Sequence, residues 1–109
     1  MTDTGFDVSV VRLTGTTVLC VCGEVDVATV PGLRAAIAEA MRPRPRVLVI
    51  DLLAVTFLAS CGLLALAEAA AERAEVRVVA ASRECVRPIR VTGLDAVLSM
   101  YGTLADALS

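Results

Sequence analysis

The chain contains no histidine, no tryptophan and no lysine, and its aromatic side chains number two Phe and one Tyr. Without histidine it lacks the usual general base at neutral pH and the commonest metal ligand. Cys20, Cys22, Cys61 and Cys85 are not spaced as a zinc site, and nothing completes one. No metal and no cofactor are therefore expected. Cys61 as a catalytic nucleophile would lack a base, so an enzyme is not expected either. The ten basic residues are all Arg and do not interleave with aromatics, which removes the main support for nucleic-acid binding. Twelve acids against these ten bases leave a net charge of −2. A protein is the expected partner.

Long hydrophobic runs are also scarce. The greasiest segment, Leu52 to Ala67, is interrupted by Thr56, Ser60 and Gly62 and bounded by Asp51 and Glu68. As a helix it would cover about 24 Å at ~1.5 Å per residue, short of the ~30 Å hydrocarbon core. No membrane association is expected. The opening "MTDTGFDV" has neither the charged n-region nor the apolar h-region of a secretory signal. A cytoplasmic protein with reduced thiols follows as the expectation.

What the chain does have is apolar residues, 57% of it, at 109 residues enough for one core. Asp7 to Leu13 alternates as a strand, and "TGT" at 14–16 turns into the apolar run "TVLCVC". That second strand is apolar on both faces, the pattern of an interior strand covered on each side. "GEVDVATVPG" then forms a loop, with Thr29 placed as helix cap and Pro31 in the first turn. Leu33, Ala36, Ile37, Ala40 and Met41 follow at helical spacing, until Pro43 and Pro45 end the helix. "VLVIDL" is the strongest strand pattern, and Val47 to Ile50 are expected at the centre of the sheet. Leu63, Leu66, Ala67, Ala70 and Ala74 mark a second helix, "VRVVAA" a further strand, and Ser82 to Gly93 a third helix. A short strand near Val97 to Met100 and a helical turn from Thr103 to Leu108 close the chain. The order is ββαβαβαβα, an α/β fold with a mostly parallel mixed sheet and about four helices, read as one domain over residues 1–109.

The polar knot Ser60-Cys61-Gly62 falls where a strand hands over to a helix. In parallel α/β sheets this edge is the usual functional edge. Two readings of Ser60 stand on the residues alone. It is an ordinary helix cap, or a hydroxyl displayed where free backbone N–H groups favour negative charge. Gly62 permits close backbone approach. Cys61 is either a small core thiol or, at a helix start, a thiol whose thiolate is favoured. Cys20, Cys22 and Cys85 are read as core thiols, leaving Cys61 the most accessible of the four.

"VLVIDLLAVTFLASCGLLAL" resembles the signature of the STAS domain of anti-sigma factor antagonists: a buried strand ending in Asp-Leu, a Val-x-Phe step, then Asp-Ser-(Ser/Thr)-Gly-Leu. "GEVDVATVPGLRAAI" resembles the family's Gly-Glu-Leu-Asp loop and first helix, and "VTGLDAVLSMYGTLADAL" its C-terminal Thr-Gly-Leu segment and last helix. The resemblance implies a STAS-like fold and partner switching. An unmodified antagonist binds an anti-sigma factor that is also a serine kinase, phosphorylation of the motif serine breaks the complex, and a serine phosphatase resets it. Carried over by position, the phosphorylated serine is Ser60, and the partner-binding residues are Glu24, Asp26, Ala59, Ser60, Cys61 and Gly62. Asp26 is expected to serve binding alone, so that Asp26→Arg leaves stability nearly unchanged. Two departures stand out: the motif Asp is Ala59, and the second hydroxyl residue is Cys61. They leave open a divergent STAS regulator that is not phosphorylated and responds to redox through Cys61.

Overall fold

A computed structural model describes residues 5–109; the first four residues, part of the stretch read for a leader, lie outside the described residues. The elements are β1 (Asp7–Leu13), β2 (Thr16–Val25), α1 (Val30–Met41), β3 (Val47–Leu58), α2 (Ser60–Ala70), β4 (Glu75–Val79), α3 (Arg83–Val91), a 3₁₀ turn (Leu94–Ala96), β5 (Ser99–Tyr101) and α4 (Leu104–Leu108). This is the ββαβαβαβα order expected. The five strands lie side by side in chain order, with β1 antiparallel to β2 and every later pair parallel.

Each parallel step needs a crossover, and a helix supplies it. The side chains of α1, α2 and α3 share one core cluster with Leu19, Val21 and Val25 of β2 and Leu48, Ile50 and Leu52 of β3. The alternate residues Val18, Val49 and Val79 point to the other face, where they meet Ala107 and Leu104 of α4. Period-two alternation along the strands thus assigns each residue to one of two layers of unequal size. Arg77 fastens the smaller layer. Its Nη1 donates to the Ala107 carbonyl at 2.7 Å and its Nε to Glu75 Oε2 at 2.9 Å. Its guanidinium also lies over the Tyr101 ring at 5.8 Å, within cation–π range.

Three details differ from the pattern expected. β2 is interior, but α4 has only five residues and covers part of that face, so Cys20 and Cys22 are half-buried and not core thiols. In α2 the buried stripe is Gly62, Leu63, Ala65, Leu66 and Ala69. Ala67 and Ala70 are half-buried, and Ala74 lies beyond the helix, because the helix starts at Ser60 and ends at Ala70. Ser82 stands at the cap position of α3 without capping it, and its Oγ is buried. Gly93, by contrast, takes the left-handed conformation (φ 77°) that ends α3 as expected.

Leu66 is 0% exposed. Leu66→Ala should therefore cost about 2–5 kcal/mol of unfolding free energy. In a urea titration, a loss under about 0.5 kcal/mol, the range of surface substitutions, would contradict this packing.

Candidate functional site

The register of β2 on β3 builds the site. Glu24 pairs with Phe57 and Val25 with Leu58, and just beyond the ladder the Ala59 N–H donates to the Val25 carbonyl at 2.9 Å. Whatever follows Val25 therefore lies beside whatever follows Ala59. The first is the acidic turn at Asp26; the second is the start of α2. Gly23, just upstream, lets the chain at Gly5 and Phe6 pass close against β2. It sits at a register shift between β2 and β3 with φ 97°, and a Cβ there would come within 1.8 Å of the Gly5 carbonyl oxygen. Only glycine fits that passage.

Gly62 does the equivalent for α2. A Cβ on it would meet Val25 Cγ1 at 2.6 Å and Leu58 Cδ1 at 2.8 Å. The missing side chain lets the first turn of α2 settle directly on the ends of β2 and β3. The turn is closed by the Gly62 and Leu63 N–H groups, which donate to the Ala59 carbonyl at 2.9 and 3.1 Å.

Ala59 occupies the cap position of α2, with φ −78° and ψ 166°, and no side chain caps the helix. Ser60 is thus the first helical residue and not the cap, which corrects the cap reading. Its side chain is exposed. The backbone N–H groups of Ser60 and Cys61 have no partner among the described residues, as first-turn donors do unless a side chain or ligand takes them. Negative charge placed there is favoured by those donors and by the helix dipole. Cys61 is half-buried and packs against the main core, as half-buried Cys20 packs against the smaller cluster, so exposure does not set it apart from Cys20 or Cys22 as the most accessible thiol. Cys85 is the fully buried one: burial pushes its thiol up, and its Sγ lies 3.7 Å from the Val55 carbonyl oxygen.

Asp26 has a structural task as well as a charge. Its Oδ1 accepts from the N–H groups of Ala28 and Thr29 at 3.0 and 3.1 Å and from the Thr29 hydroxyl at 3.2 Å. The Thr29 hydroxyl also lies 2.8 Å from the Glu24 carbonyl oxygen, to which it can donate. Thr29, the expected cap of α1, makes no cap hydrogen bond to that helix because its hydroxyl is engaged backwards with Glu24 and Asp26. Asp26→Arg would therefore remove a turn-closing acceptor. The expectation that stability stays unchanged gives way to a cost of about 0.5–2 kcal/mol, the usual value of such a side-chain acceptor. Glu24 is exposed and its carboxylate has no partner among the described residues, so it is the cleaner probe of surface charge.

Three exposed apolar side chains surround this edge and were not read from the sequence. Val27 is 81% exposed, Leu64 54% and Phe57 49%. Their types alone point inward; only the loop, the helix face and the irregular end of β3 turn them out. Val27 adjoins Asp26 in the acidic turn and Leu64 stands on the first turns of α2 after Ser60, so exposed apolar side chains accompany the acids and the serine at this edge. Among the described residues no helix is long and apolar enough to cross a membrane.

A five-stranded mixed sheet carrying its conspicuous surface at the β3–α2 junction is the STAS architecture, and residues 7–107 match the STAS domain family model. The chain belongs to the STAS domain family. It is 41% identical over 105 residues to the anti-sigma-F factor antagonist RsfB of Mycobacterium tuberculosis, covering 94% of this chain and 86% of that protein. A crystal structure of an anti-sigma factor antagonist from Mycobacterium paratuberculosis superposes with a TM-score of 0.90 at 39% identity, over 98% of this chain and 94% of that one. The antagonist SpoIIAA shares the fold in its unphosphorylated form (TM-score 0.73, 19% identity, 94% of this chain and 93% of that one). Its phosphorylated form does so too (TM-score 0.69, 18% identity, 94% and 96%).

Two substitutions at this turn should act in opposite directions. Ala59→Asp supplies the missing acceptor to the free Cys61 N–H and should raise stability by about 0.5–2 kcal/mol. Gly62→Ala drives a methyl into Val25 and Leu58 and should lower it by about 1–3 kcal/mol. Parallel denaturant titrations giving the same sign for both would contradict the geometry of the turn.

Proposed function

We propose that this protein is an anti-sigma factor antagonist that works by partner switching, and that Ser60 is its control point. Unmodified, it binds an anti-sigma factor that is also a serine kinase through Glu24, Asp26, Ala59, Ser60, Cys61 and Gly62, with Val27 and Leu64 as apolar anchors. Transfer of a phosphoryl group from ATP to the Ser60 hydroxyl ends the complex, and a serine phosphatase restores the hydroxyl. The chain acts as one domain over residues 1–109, in the cytoplasm, without catalytic activity of its own. The observation that carries this reading is the Val25–Ala59 hydrogen bond. It sets an exposed serine at a helix start beside an acidic loop, in a chain 41% identical to a protein named as an anti-sigma-F factor antagonist.

The energetics favour a switch by surface charge. A phosphate adds about −1.5 to −2 charges near neutral pH. On the free protein the unpartnered first-turn N–H groups of α2 receive that charge favourably, so the fold is retained. In a complex the same charge is confined beside Glu24 and Asp26 of this chain, and like-charge crowding together with desolvation of the phosphate in a partly buried interface costs several kcal/mol. Ala59 leaves the serine without the neighbouring acid of the family pattern. That removes a repulsion toward phosphate and leaves the helix cap empty. Control through Cys61 has no comparable support, because its side chain packs on the core.

Ser60→Glu should weaken binding to the purified anti-sigma factor by about tenfold or more, equivalent to ~1.4 kcal/mol or above. Ser60→Ala should bind as the unmodified protein does and, since Ser60 is not the helix cap, change stability by less than about 0.5 kcal/mol. Calorimetric titration of both variants, with mass mapping of the protein after incubation with the partner and ATP, tests the proposal. Unaltered binding by Ser60→Glu together with no phosphate on Ser60 would overturn it.

A further inference from the structure

Four arginines, Arg12, Arg34, Arg42 and Arg77, form ion pairs with glutamates. Three others, Arg83, Arg87 and Arg90, stand together on α3, and none has an ion-pair or hydrogen-bond partner among the described residues. At about 100° per residue, their side chains leave the helix within an arc of about 60°. The opposite side of α3 is anchored in the core by Cys85 and Ile89, both 0% exposed. The three charges are thereby fixed outward on a rigid element. Like charges three and four residues apart on a helix repel each other, so the stripe works against the helix that carries it unless something outside neutralises it.

The stripe is not simply a solvated face. With Ala81, Val86 and Val91 it lines a groove of about 430 Å³, and Val91 is 74% exposed. Beyond the end of α3, Val97 of the following turn is 60% exposed. Apolar contacts thus flank the guanidinium groups. The chemistry that fits is a carboxylate-bearing segment with apolar side chains between its acids: Arg pairs planar carboxylates in bidentate fashion, and the valines take the apolar positions. A nucleic acid fits less well, since the groove has no aromatic side chain on which bases could stack. The net charge of −2, with Glu84 and Asp95 on the adjoining turns, also opposes the approach of an extended polyanion or an anionic bilayer. A short acidic segment meets the three arginines locally.

We infer that the Arg83–Arg87–Arg90 face of α3 is a second docking surface, one that receives an acidic, apolar-interrupted segment of a protein partner. It lies on the β4–β5 crossover, on a different helix from the β3–α2 junction. The probe is a fluorescein-labelled twelve-residue peptide alternating Glu-Glu with Leu, titrated at low salt by anisotropy and mapped on ¹⁵N-labelled full-length protein. A twelve-nucleotide single strand of DNA and phosphatidylserine vesicles are run alongside. The peptide should shift amide signals of residues 83–91 and bind at least about tenfold more weakly to the R83E/R87E/R90E triple variant, while Ser60→Glu protein binds it normally. Circular dichroism of the triple variant establishes that it folds; if it does not, the single substitution Arg87→Ala should still weaken binding measurably. Shifts confined to other elements, equal affinity for the triple variant, or tighter binding of DNA or vesicles through these arginines would overturn the inference.

Discussion

The parallel pairing of β2 with β3 is the constraint on which the rest depends. It runs from Thr16–Val47 to Val25–Leu58 and is completed by the Ala59 N–H on the Val25 carbonyl. Both strands end at one place, so the turn after each must emerge there. The hydrophobic alternation of Leu48, Ile50 and Leu52 holds this register, because a slip by one residue would turn those side chains away from the helices. The two glycines at the site make room for close passages beside this pairing. Gly23 makes room for the chain passing at Gly5, and Gly62 lets α2 start in contact with both strand ends. The edge where the two turns meet is thus a by-product of core packing.

The sheet is covered unequally, and that inequality explains the other surface features. Three helices bury one face, whereas a single short helix, held by Arg77, covers part of the other. Where cover is missing, Cys20 and Cys22 are half-exposed and Val11, Leu13 and Leu53 stand in the open. Charge is also unevenly placed. Unpaired acid lies at the β3–α2 edge and unpaired arginine on α3, so a chain of small net charge presents two surfaces of opposite sign.

Much of this was legible in the sequence, for physical reasons. Period-two runs such as "VLVIDL" and the helical spacing from Leu33 to Met41 each bury one face, so strand and helix could be told apart, and the proline-bearing connector marked the end of α1. The meeting of Glu24 and Asp26 with Ser60 also followed, since strands of a parallel sheet end on one edge. Less legible was everything set by small tertiary accommodations. Serine before a helical run reads as a cap, but the Val25–Ala59 bond fixes the entry one residue earlier and makes Ala59 the cap. Aspartate in a loop reads as free charge, but the Thr29 hydroxyl three residues on draws it into a turn. Cys20 and Cys22 read as core because strand periodicity shows which face a residue takes and not how well that face is covered. The outward turn of Val27, Phe57 and Leu64 has no local signature at all.

On the function proposed, the acidic turn and the start of α2 act as one surface because the β2–β3 register holds them together. Hydrogen–deuterium exchange of the protein alone and in complex with the purified anti-sigma factor measures this directly. Slowed exchange over both Glu24–Ala28 and Ser60–Leu64, appearing together and lost together when Ser60 is phosphorylated, is the result predicted. Slowing at only one of the two segments, or at neither while the complex is formed, would contradict it.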